Sequence, residues 1–432
     1  MNAASSQPNP MARVMSDRNF RLLFGGAFIS LLGDQFALIA TPWLVLQLTN
    51  DPLALGTVLA LEGIPRAVFI LFGGAITDRL SPRLVMLIAN IVRFFLTALM
   101  ALVVFAGAVQ LWMIYAFSLL FGIVSGFAIP AETSIAATLV DKEDLQAGNS
   151  IMMIITRLAG FVGPTIAGII IGRFSNTDVG VGFAFAFDAL TFVVSAVTLQ
   201  MIRIKKPVAS SPGAGAEKAQ ESVWASIKAG VRYVWSDTPL RFIFLVQMAV
   251  NFLLIGPIMV GIPVLADQRL PEGAAAFGLL MSAFAGGNLI GMLAAGSLPR
   301  PDGAKLRLII ITQFAAFGIV IGLLGIITST WLDFALLFLL GLGNGFVVVI
   351  LMSWMQARTP REMLGRMMAL LMFASTGLMP VSQALAGVLS KWNLTMLFVI
   401  PGLLVLLLTA WVAFRPELKG FSESLTAARA EG

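Results

Sequence analysis

The chain lacks two residue types on which many protein sites depend. Its 432 residues include no cysteine and no histidine. Disulfides, thiolate chemistry, histidine-ligated metals and histidine proton relays are therefore excluded. Any proton transfer must use carboxylates, and we expect neither a metal nor a cofactor.

Charge is also scarce. Charged residues make up 12% of the chain and hydrophobic residues 58%, with a mean hydropathy of +0.93. Soluble domains are about 45–50% apolar and about 25% charged. A water-soluble core of this size does not fit that balance, which is typical of a membrane protein.

Twelve apolar stretches have the length of a membrane span. A spanning helix needs about 20 apolar residues, and helices are expected because backbone groups in lipid must bond within their own segment. The N-terminal segment 1–18 is polar and lacks a signal-peptide profile, so insertion should begin with the first span. The predicted spans are 19–47, 53–76, 83–107, 111–138, 150–173, 180–202, 238–265, 276–298, 306–329, 332–355, 364–390 and 394–414.

Basic residues are distributed unequally between the two sides of this predicted membrane. Most of the 28 fall in loops on one side, and only Arg173, Arg269 and Lys391 fall in loops on the other. Because basic loops stay in the cytoplasm, this bias predicts a multi-pass protein of the cell (inner) membrane with both termini inside. The formal charge of +6 then reflects topology, and we expect no nucleic-acid partner.

A polar segment divides the spans into two groups of six. Residues 205–220 are rich in Pro, Gly, Ala and Ser and predict a linker. Residues 221–235 predict an amphipathic helix on the cytoplasmic surface, or an extension of the seventh span. The expected parts are a cytoplasmic tail (1–18), a six-helix bundle (19–202), a linker with the amphipathic helix (203–237), a second bundle (238–414) and a cytoplasmic tail (415–432).

The two halves share identities at one constant offset along the chain. A duplicated six-helix unit is how many transporters are built. We therefore expect two pseudo-symmetric bundles. The matched residues are Ser134 with Ser353, Glu143 with Glu362, Leu145 with Leu364, and Ala167-Gly168 with Ala386-Gly387.

The segment Gly74–Arg83 reads G-A-I-T-D-R-L-S-P-R and lies between the second and third spans. We expect one helix to end at Gly73-Gly74 and the next to begin at Pro82. The segment resembles the loop pattern G-x-L-x-D-R-x-G-R-R of the major facilitator superfamily. Ser81 stands at the second glycine of that pattern, and Pro82 at its first closing basic position.

Other stretches resemble one branch of that superfamily, the drug:proton antiporters that include macrolide-efflux and enterobactin-exporter proteins. They are F-R-L-L-F-G-G-A-F-I-S-L-L-G-D-Q in the first span, F-G-I-V-S-G-F-A-I-P-A-E-T-S in the fourth, and M-Q-A-R-T-P-R-E-M-L-G-R-M-M between the tenth and eleventh. The resemblance implies an all-α membrane protein with twelve transmembrane helices in two six-helix bundles. It also implies a transporter and not an enzyme.

The resemblance implies a cytoplasmic gate around Gly74–Arg83. Asp78 would meet the N-terminal end of span eleven, where the helix dipole favours a negative charge. Arg79 and Arg83 would face acidic residues between spans four and five, and these contacts would close the cytoplasmic side. The alternative is a basic loop that only fixes topology. The predicted gate residues are Gly74, Asp78, Arg79, Arg83, Asp141, Glu143 and Asp144.

The fifth span contains a glycine–proline pattern similar to one associated with antiporters of the superfamily. Glycines allow close helix approach and proline weakens a helical turn, so the pattern predicts a helix that bends. Ordinary glycine packing is the alternative, and Ala167 departs from the family pattern. The residues are Gly160, Gly163, Pro164 and Gly168.

Seven ionisable residues are expected at membrane depth, all in the N-terminal half. Each costs roughly 2.5–3.5 kcal/mol on insertion scales and so needs a partner or a function. The C-terminal spans are expected to offer only neutral polar groups, which places energy coupling in the N-terminal half. The seven are Asp34, Glu62, Glu132, Asp188, Arg66, Arg93 and Arg157, and the neutral groups include Asn251, Asn288, Asn344 and Gln383.

Asp34 is the first candidate for proton coupling, because it lies on a polar stripe of the first span. Burial disfavours a charged carboxyl, so such an acid could bind and release a proton. Glu132, two residues after Pro130, and then Asp188 are further candidates. The alternatives are a helix cap or packing hydrogen bond for Asp34, an ion pair with Arg157 for Glu132, and interhelical hydrogen bonding for Asp188.

The remaining charges indicate pairing or substrate binding. Glu62 and Arg66 are spaced i, i+4 and predict an intramembrane ion pair, or a mechanistic site loosened by Pro65. Arg93 and Arg157 could meet the charge of a substrate or act as counter-ions.

Composition favours a hydrophobic or amphiphilic cargo, since the chain has 32 Phe and 21 Met but only 2 Tyr. The expected function is export of a drug- or macrolide-like molecule by proton antiport with alternating access. Alternatives are export of a siderophore or other anionic metabolite, flipping of a lipid-like substrate, and a non-transporting membrane sensor. We expect a monomer whose partners are its small-molecule substrate, protons and the lipid bilayer.

Overall fold

The computed structural model describes residues 9–174, 176–203, 231–298, 303–360 and 363–415. Within these ranges the ordered elements are helices and no strand occurs. A short helix, α1 (Pro10–Ser16), precedes the first span, although segment 1–18 was expected to be a tail. The predicted linker 205–220 and most of the predicted amphipathic helix 221–235 lie outside the described residues, as do residues 1–8 and 416–432 of the two tails.

Six long helices follow in the N-terminal half. They are α2 (Arg18–Thr49), α3 (Pro52–Arg79), α4 (Pro82–Phe105), α5 (Leu111–Leu139), α6 (Leu145–Arg173) and α7 (Thr177–Met201), with a 3-10 turn at Lys142–Asp144 before α6.

In the described part of the C-terminal half, residues 231–236 are helical, and eight α-helices and one π-helical segment follow them, some of which share a span. They are α8 (Thr238–Gly256), a π-helical segment (Pro257–Gly261), α9 (Ile262–Arg269), α10 (Ala274–Ser297), α11 (Gly303–Leu324), α12 (Thr330–Arg358), α13 (Leu364–Thr376), α14 (Met379–Trp392) and α15 (Leu394–Ala413).

The described helices account for the twelve predicted spans. Eleven of them are long and apolar enough to cross a membrane when the π-linked pair α8–α9 is taken as one. The remaining span is interrupted: α13 has 13 residues and α14 has 14, and Pro380 lies in the first turn of α14. Proline has no N–H to continue a helix, so a break before it is expected.

The helix boundary at the segment Gly74–Arg83 differs from the prediction. Helix α3 continues through Gly73 and Gly74 to Arg79, and α4 begins at Pro82. Gly73 serves packing, because a Cβ there would lie 2.5 Å from the carbonyl oxygen of Gly126 on α5. The glycines are therefore not the helix end that the sequence indicated, and only Leu80 and Ser81 separate the two helices.

By internal packing the chain divides into two units. The first consists of residues 1–50 and 61–207, and the second of residues 51–60 and 208–432. In the first unit, α2 packs on α6 and α7, and α4 packs on α5 and α7. In the second unit the main pairs are α10 with α12, α11 with α15, and α8 with α14.

Glycines bring helices into backbone contact at equivalent places in the two units. In the first unit, a Cβ on Gly122 of α5 would overlap the carbonyl oxygen of Glu62 on α3. In the second, a Cβ on Gly341 of α12 would overlap the carbonyl oxygen of Phe284 on α10. These two glycines are related by the same offset as the identities between the halves, so the internal repeat preserves a packing contact as well as a sequence pattern.

Candidate functional site

A buried arginine lies at the centre of the first unit. Arg93 of α4 is only 5% exposed. Its guanidinium lies 5.6 Å from the ring centre of Phe121 and 5.7 Å from that of Phe192. Its Nη1 donates to Oε1 of Glu132 on α5 at 3.0 Å. A cation in this position is stabilised by an ion pair and by two aromatic faces.

Two further acids surround the same arginine. Asp34 of α2 interacts electrostatically with Arg93 and Glu132, and Asp188 of α7 interacts with Asp34 and Arg93. The approach of α7 to α2 depends on Gly33, because a Cβ there would lie 2.5 Å from Oδ1 of Asp188. We call Asp34, Arg93, Glu132 and Asp188 the Arg93 cluster.

The Arg93 cluster is unbalanced in charge and uneven in exposure. It contains three carboxyls and one guanidinium. Asp188 is fully buried, and neither of its carboxyl oxygens has a hydrogen-bond partner in the described ranges. The nearby Thr191 hydroxyl donates to the backbone carbonyl of Asp188 instead, at 2.7 Å. Asp34 is half-buried, and the side chain of Glu132 is 39% exposed. Asp34 and Glu132 are therefore the accessible acids of the cluster, whereas Asp188 is sealed.

Three further charged residues predicted at membrane depth, Glu62, Arg66 and Arg157, lie outside the Arg93 cluster. Glu62 and Arg66 are half-buried, with Oε1 and Nη1 3.1 Å apart. Arg157 on α6 is exposed and forms no ion pair with any residue that the structure describes. The alternative in which Glu132 pairs with Arg157 is wrong for this structure, because Glu132 faces Arg93 across the α4–α5 contact.

The predicted gate residues have other partners than expected. Arg83 donates to the carbonyls of Leu199 at 2.7 Å and Gln200 at 2.8 Å, near the C-terminus of α7. That end of a helix attracts a cation, so Arg83 binds α7 and not the acidic loop. Asp141 and Glu143 are exposed, and the side chains of Asp78 and Arg79 are not among those described.

Asp144, the third acid of that loop, pairs with α1. Arg13 Nε donates to Asp144 Oδ2 at 2.8 Å, and Arg13 Nη2 donates to Oδ1 at 2.5 Å. The Arg13 guanidinium holds the pKa of the Asp144 carboxyl below its usual value, chiefly by this hydrogen bond. Val14 of α1 packs beside Phe20 and Ile151, so the short helix is docked on the loop.

The glycine–proline pattern lies within an uninterrupted helix. Helix α6 runs from Leu145 to Arg173 with Pro164 inside it. Gly163 packs against the side chain of Gln35 on α2, where an added Cβ would lie 2.5 Å from the Cβ of Gln35. Gly160 faces open space, while Gly168 is buried.

The second unit contains an apolar cavity of about 280 Å³. Helices α8, α10, α11 and α12 and the π-helical segment provide most of its wall. Its polar lining consists of four carboxamide side chains, Gln247, Asn251, Gln313 and Asn344, and no charged residue lines it in the part of the chain that the structure describes. The sequence had indicated Asn251 and Asn344 as neutral polar groups. The other two became visible as a group only when the helices were assembled.

One buried acid was missed by the sequence interpretation. Asp333, in the first turn of α12, is fully buried, and neither carboxyl oxygen has a hydrogen-bond partner in the described part of the chain. The expectation that the C-terminal spans hold only neutral polar groups is therefore wrong. Asp333 lies inside the predicted span 332–355, and this position was the only feature of the sequence that indicated a buried acid there.

Twelve spans in two units, the first of which holds the buried Arg93 beside three carboxyls, are typical of a membrane transporter. A family model, the Major Facilitator Superfamily, matches residues 23–382. The chain belongs to this superfamily, and the predicted all-α twelve-helix fold is confirmed. Family and fold are those of membrane transporters and not of enzymes.

Curated relatives extend over most of the chain. It is 24% identical over 409 residues to the multidrug efflux pump Tap of Mycolicibacterium fortuitum, covering 92% of this chain and 96% of Tap. It is 25% identical over 354 residues to the enterobactin exporter EntS of Shigella flexneri, covering 80% of this chain and 79% of EntS. These proteins are of the kinds that the sequence resemblance implied.

Solved structures agree on the fold. The nucleoside transporter NupG matches with a TM-score of 0.67 at 13% identity, covering 92% of this chain and all of NupG (100%). A bacterial homologue of the iron transporter ferroportin, in an inward-facing state, matches with a TM-score of 0.67 at 17% identity, covering 92% and 99% of the two chains. At these identities the likeness concerns the fold alone.

Proposed function

We propose that this protein exports a hydrophobic or amphiphilic small molecule by proton antiport with alternating access. The Arg93 cluster supports the proton part of this proposal. Without cysteine or histidine, protons must bind carboxyls, and here three carboxyls share one buried guanidinium. Such an excess of carboxyls around one buried guanidinium favours the uptake of protons.

Exposure assigns roles within the cluster. Asp34 is half-buried and is the proposed proton carrier, and Glu132 is the second. Glu132 forms an ion pair with Arg93, so a proton on Glu132 would weaken that pair. Arg93 would then interact mainly with Asp34 and Asp188. Asp188, sealed beside Gly33, sets the local charge and is not proposed to exchange protons directly.

The names of the relatives support the direction of transport. Tap is described as an efflux pump and EntS as an exporter. We extend that direction to this chain and propose an inner-membrane monomer with both termini in the cytoplasm. The N-terminal bundle (19–202) then couples protons to transport, and Asp78 and Arg79 remain the proposed cytoplasmic gate. Arg83 is left out of the gate, since it is bound to α7.

Export of an anionic metabolite is a second candidate, favoured by Arg157. This arginine is exposed and lacks an ion-pair partner in the described ranges. Arg93 is a poor anion site, because three acids already surround it. If cargo is anionic, Arg157→Gln should abolish its transport, whereas an uncharged cargo should be moved normally by that variant.

The test uses proteoliposomes with an imposed pH gradient and a fluorescent efflux substrate. The wild-type chain should move the substrate against its gradient only when protons flow the other way. Asp34→Asn should abolish gradient-driven transport, while Asp178→Asn, which alters an acid at the start of α7 outside the cluster, should leave it intact. Wild-type transport that ignores the pH gradient would show that antiport is wrong. Full coupling in Asp34→Asn would exclude Asp34 as the carrier.

A further inference from the structure

We propose that the apolar cavity of the second unit binds the cargo, and that it selects an uncharged molecule that carries hydrogen-bonding groups. This inference rests on the proposed transport function and gives it a substrate class. The cavity lies wholly within residues 242–412, among the C-terminal helices. Its volume of about 280 Å³ is close to the lower limit, roughly 300 Å³, of small-molecule sites.

Most of the wall is hydrophobic. Phenylalanine, valine, leucine, isoleucine and methionine side chains come from helices on every side of the cavity, including Val250, Met259, Met281, Phe284 and Phe314. Such a wall favours binding of apolar surface. The two methionines are unbranched and flexible, so the wall can adapt to ligands of different shape.

The four carboxamides use only part of their hydrogen-bonding capacity within the described protein. Asn251 Nδ2 donates to the carbonyl of Gln247 at 2.9 Å, and Gln313 Nε2 donates to the carbonyl of Leu340 at 3.1 Å. The side-chain amides of Gln247 and Asn344 have no hydrogen-bond partner within the described ranges. A half-buried amide that lacks a protein partner remains available to a ligand. The site therefore offers both donors and acceptors along an otherwise apolar wall.

The absence of charge from the lining decides the ligand class. An ion that entered the cavity would lose water without gaining a counter-charge, which is strongly unfavourable. An uncharged ligand avoids this desolvation penalty, and its polar groups can bond the free amides. The charged groups of the first unit are then reserved for protons, while the second unit accommodates the cargo.

An irregular helix borders the cavity. Ile258 lines it from the π-helical segment Pro257–Gly261, whose wider turns are frequent at functional sites. Just before this segment, Ser382 of α14 accepts from the Gly256 N–H at 2.9 Å and donates to the carbonyl of Phe252 at 2.5 Å. The hydroxyl thus bridges a backbone N–H and the carbonyl four residues before it. A side chain inserted in this way releases a helix from regular geometry, so this part of the wall can adjust.

The experiment measures equilibrium binding to the full chain in lipid nanodiscs, with empty nanodiscs subtracted. The probes are radiolabelled chloramphenicol, an uncharged aromatic amide, the tetraphenylphosphonium cation and the salicylate anion. Val348→Trp fills the cavity, and Asn344→Leu removes one free amide at similar volume. Leu339→Trp is the matched control, since Leu339 lies on the same helix and is 63% exposed. All variants are compared by size-exclusion profile and unfolding temperature.

Chloramphenicol should bind the wild-type chain saturably, at least tenfold more weakly after Val348→Trp, and roughly three- to tenfold more weakly after Asn344→Leu. Leu339→Trp should bind like the wild type. If Val348→Trp misfolds, Asn344→Leu decides the outcome alone. No saturable binding by the wild type, or equal binding by the wild type and Asn344→Leu, overturns the proposal. Cation or anion binding that is weakened by Asn344→Leu as strongly as chloramphenicol binding overturns the assigned ligand class.

The binding assay needs no proton gradient, so its outcome is read separately from that of the transport assay. Binding with the expected variant effects but without antiport would contradict only the proposed function. Antiport with a cavity that does not bind would contradict only the cargo site.

Discussion

Replacement of Arg93 by methionine tests whether this guanidinium neutralises the acids around it. The substitution keeps an unbranched apolar side chain beside Phe121 and Phe192 and removes the charge. It leaves Asp34, Glu132 and Asp188 without the positive charge of Arg93, and Asp188 is fully buried. Removing one partner of a buried ion pair costs about 3–5 kcal/mol, because the remaining charge stays buried. We expect a loss of stability in that range at pH 8.

Two companion variants separate this effect from general damage. Glu132→Gln leaves Arg93 with two acids, so it should cost less, about 1.5–3 kcal/mol for a hydrogen bond to a charged group. Arg157→Met makes the same substitution in the same unit at an exposed site. It should change stability by no more than about 0.5 kcal/mol. The predicted order of loss is therefore Arg93→Met, then Glu132→Gln, then Arg157→Met.

The assay is thermal unfolding in nanodiscs, followed by the fluorescence of the chain's 8 tryptophans. For a unit of 150–250 residues, 1 kcal/mol corresponds to about 2–4 °C, so Arg93→Met should lower the unfolding temperature by roughly 6–20 °C. Equal losses for Arg93→Met and Arg157→Met would show that Arg93 does not neutralise the cluster.

Two further predictions concern helix packing and the N-terminal helix. Gly345→Ala should destabilise by about 1–3 kcal/mol in the same unfolding assay, because its Cβ would overlap the Asn288 carbonyl oxygen. Gly296→Ala, where a Cβ meets open space, should be neutral or slightly stabilising, and equal losses would contradict the contact. Docking of α1 should persist from pH 8 to 5 and weaken only below about pH 4. The pKa of Asp144 is lower in the folded protein than in the unfolded chain, so its contact with Arg13 stabilises the fold at pH values above the unfolded-state pKa. The mobility of a spin label on α1 measures this docking, and Asp144→Asn should release the helix at every pH. If the label is equally immobile in that variant, the contact between Arg13 and Asp144 does not hold α1 in place.

Particular residues show where sequence reasoning succeeded and where it failed. The spans and the family followed from apolar length and motif. The end of α3 did not, because Gly73 and Gly74 are usual signals of a helix end, whereas Gly73 here packs against α5. Asp333 was missed because one acid near the start of a long apolar stretch hardly alters its hydropathy. The docked helix α1 was missed because so short a segment has too few residues to show a periodic pattern.

Composition was enough to establish that this protein crosses a membrane as helices. With 58% hydrophobic and 12% charged residues, helices of this length expose apolar surfaces that lipid, and not water, must solvate. It was also enough to assign proton binding to carboxyls. Which charges meet depends on how the helices pack. Glu132 pairs with Arg93 and not Arg157, because helix rotation and contact at α4–α5 bring those two side chains within 3.0 Å. The cavity amides likewise come from helices far apart along the chain, and no local pattern specifies which of their faces converge.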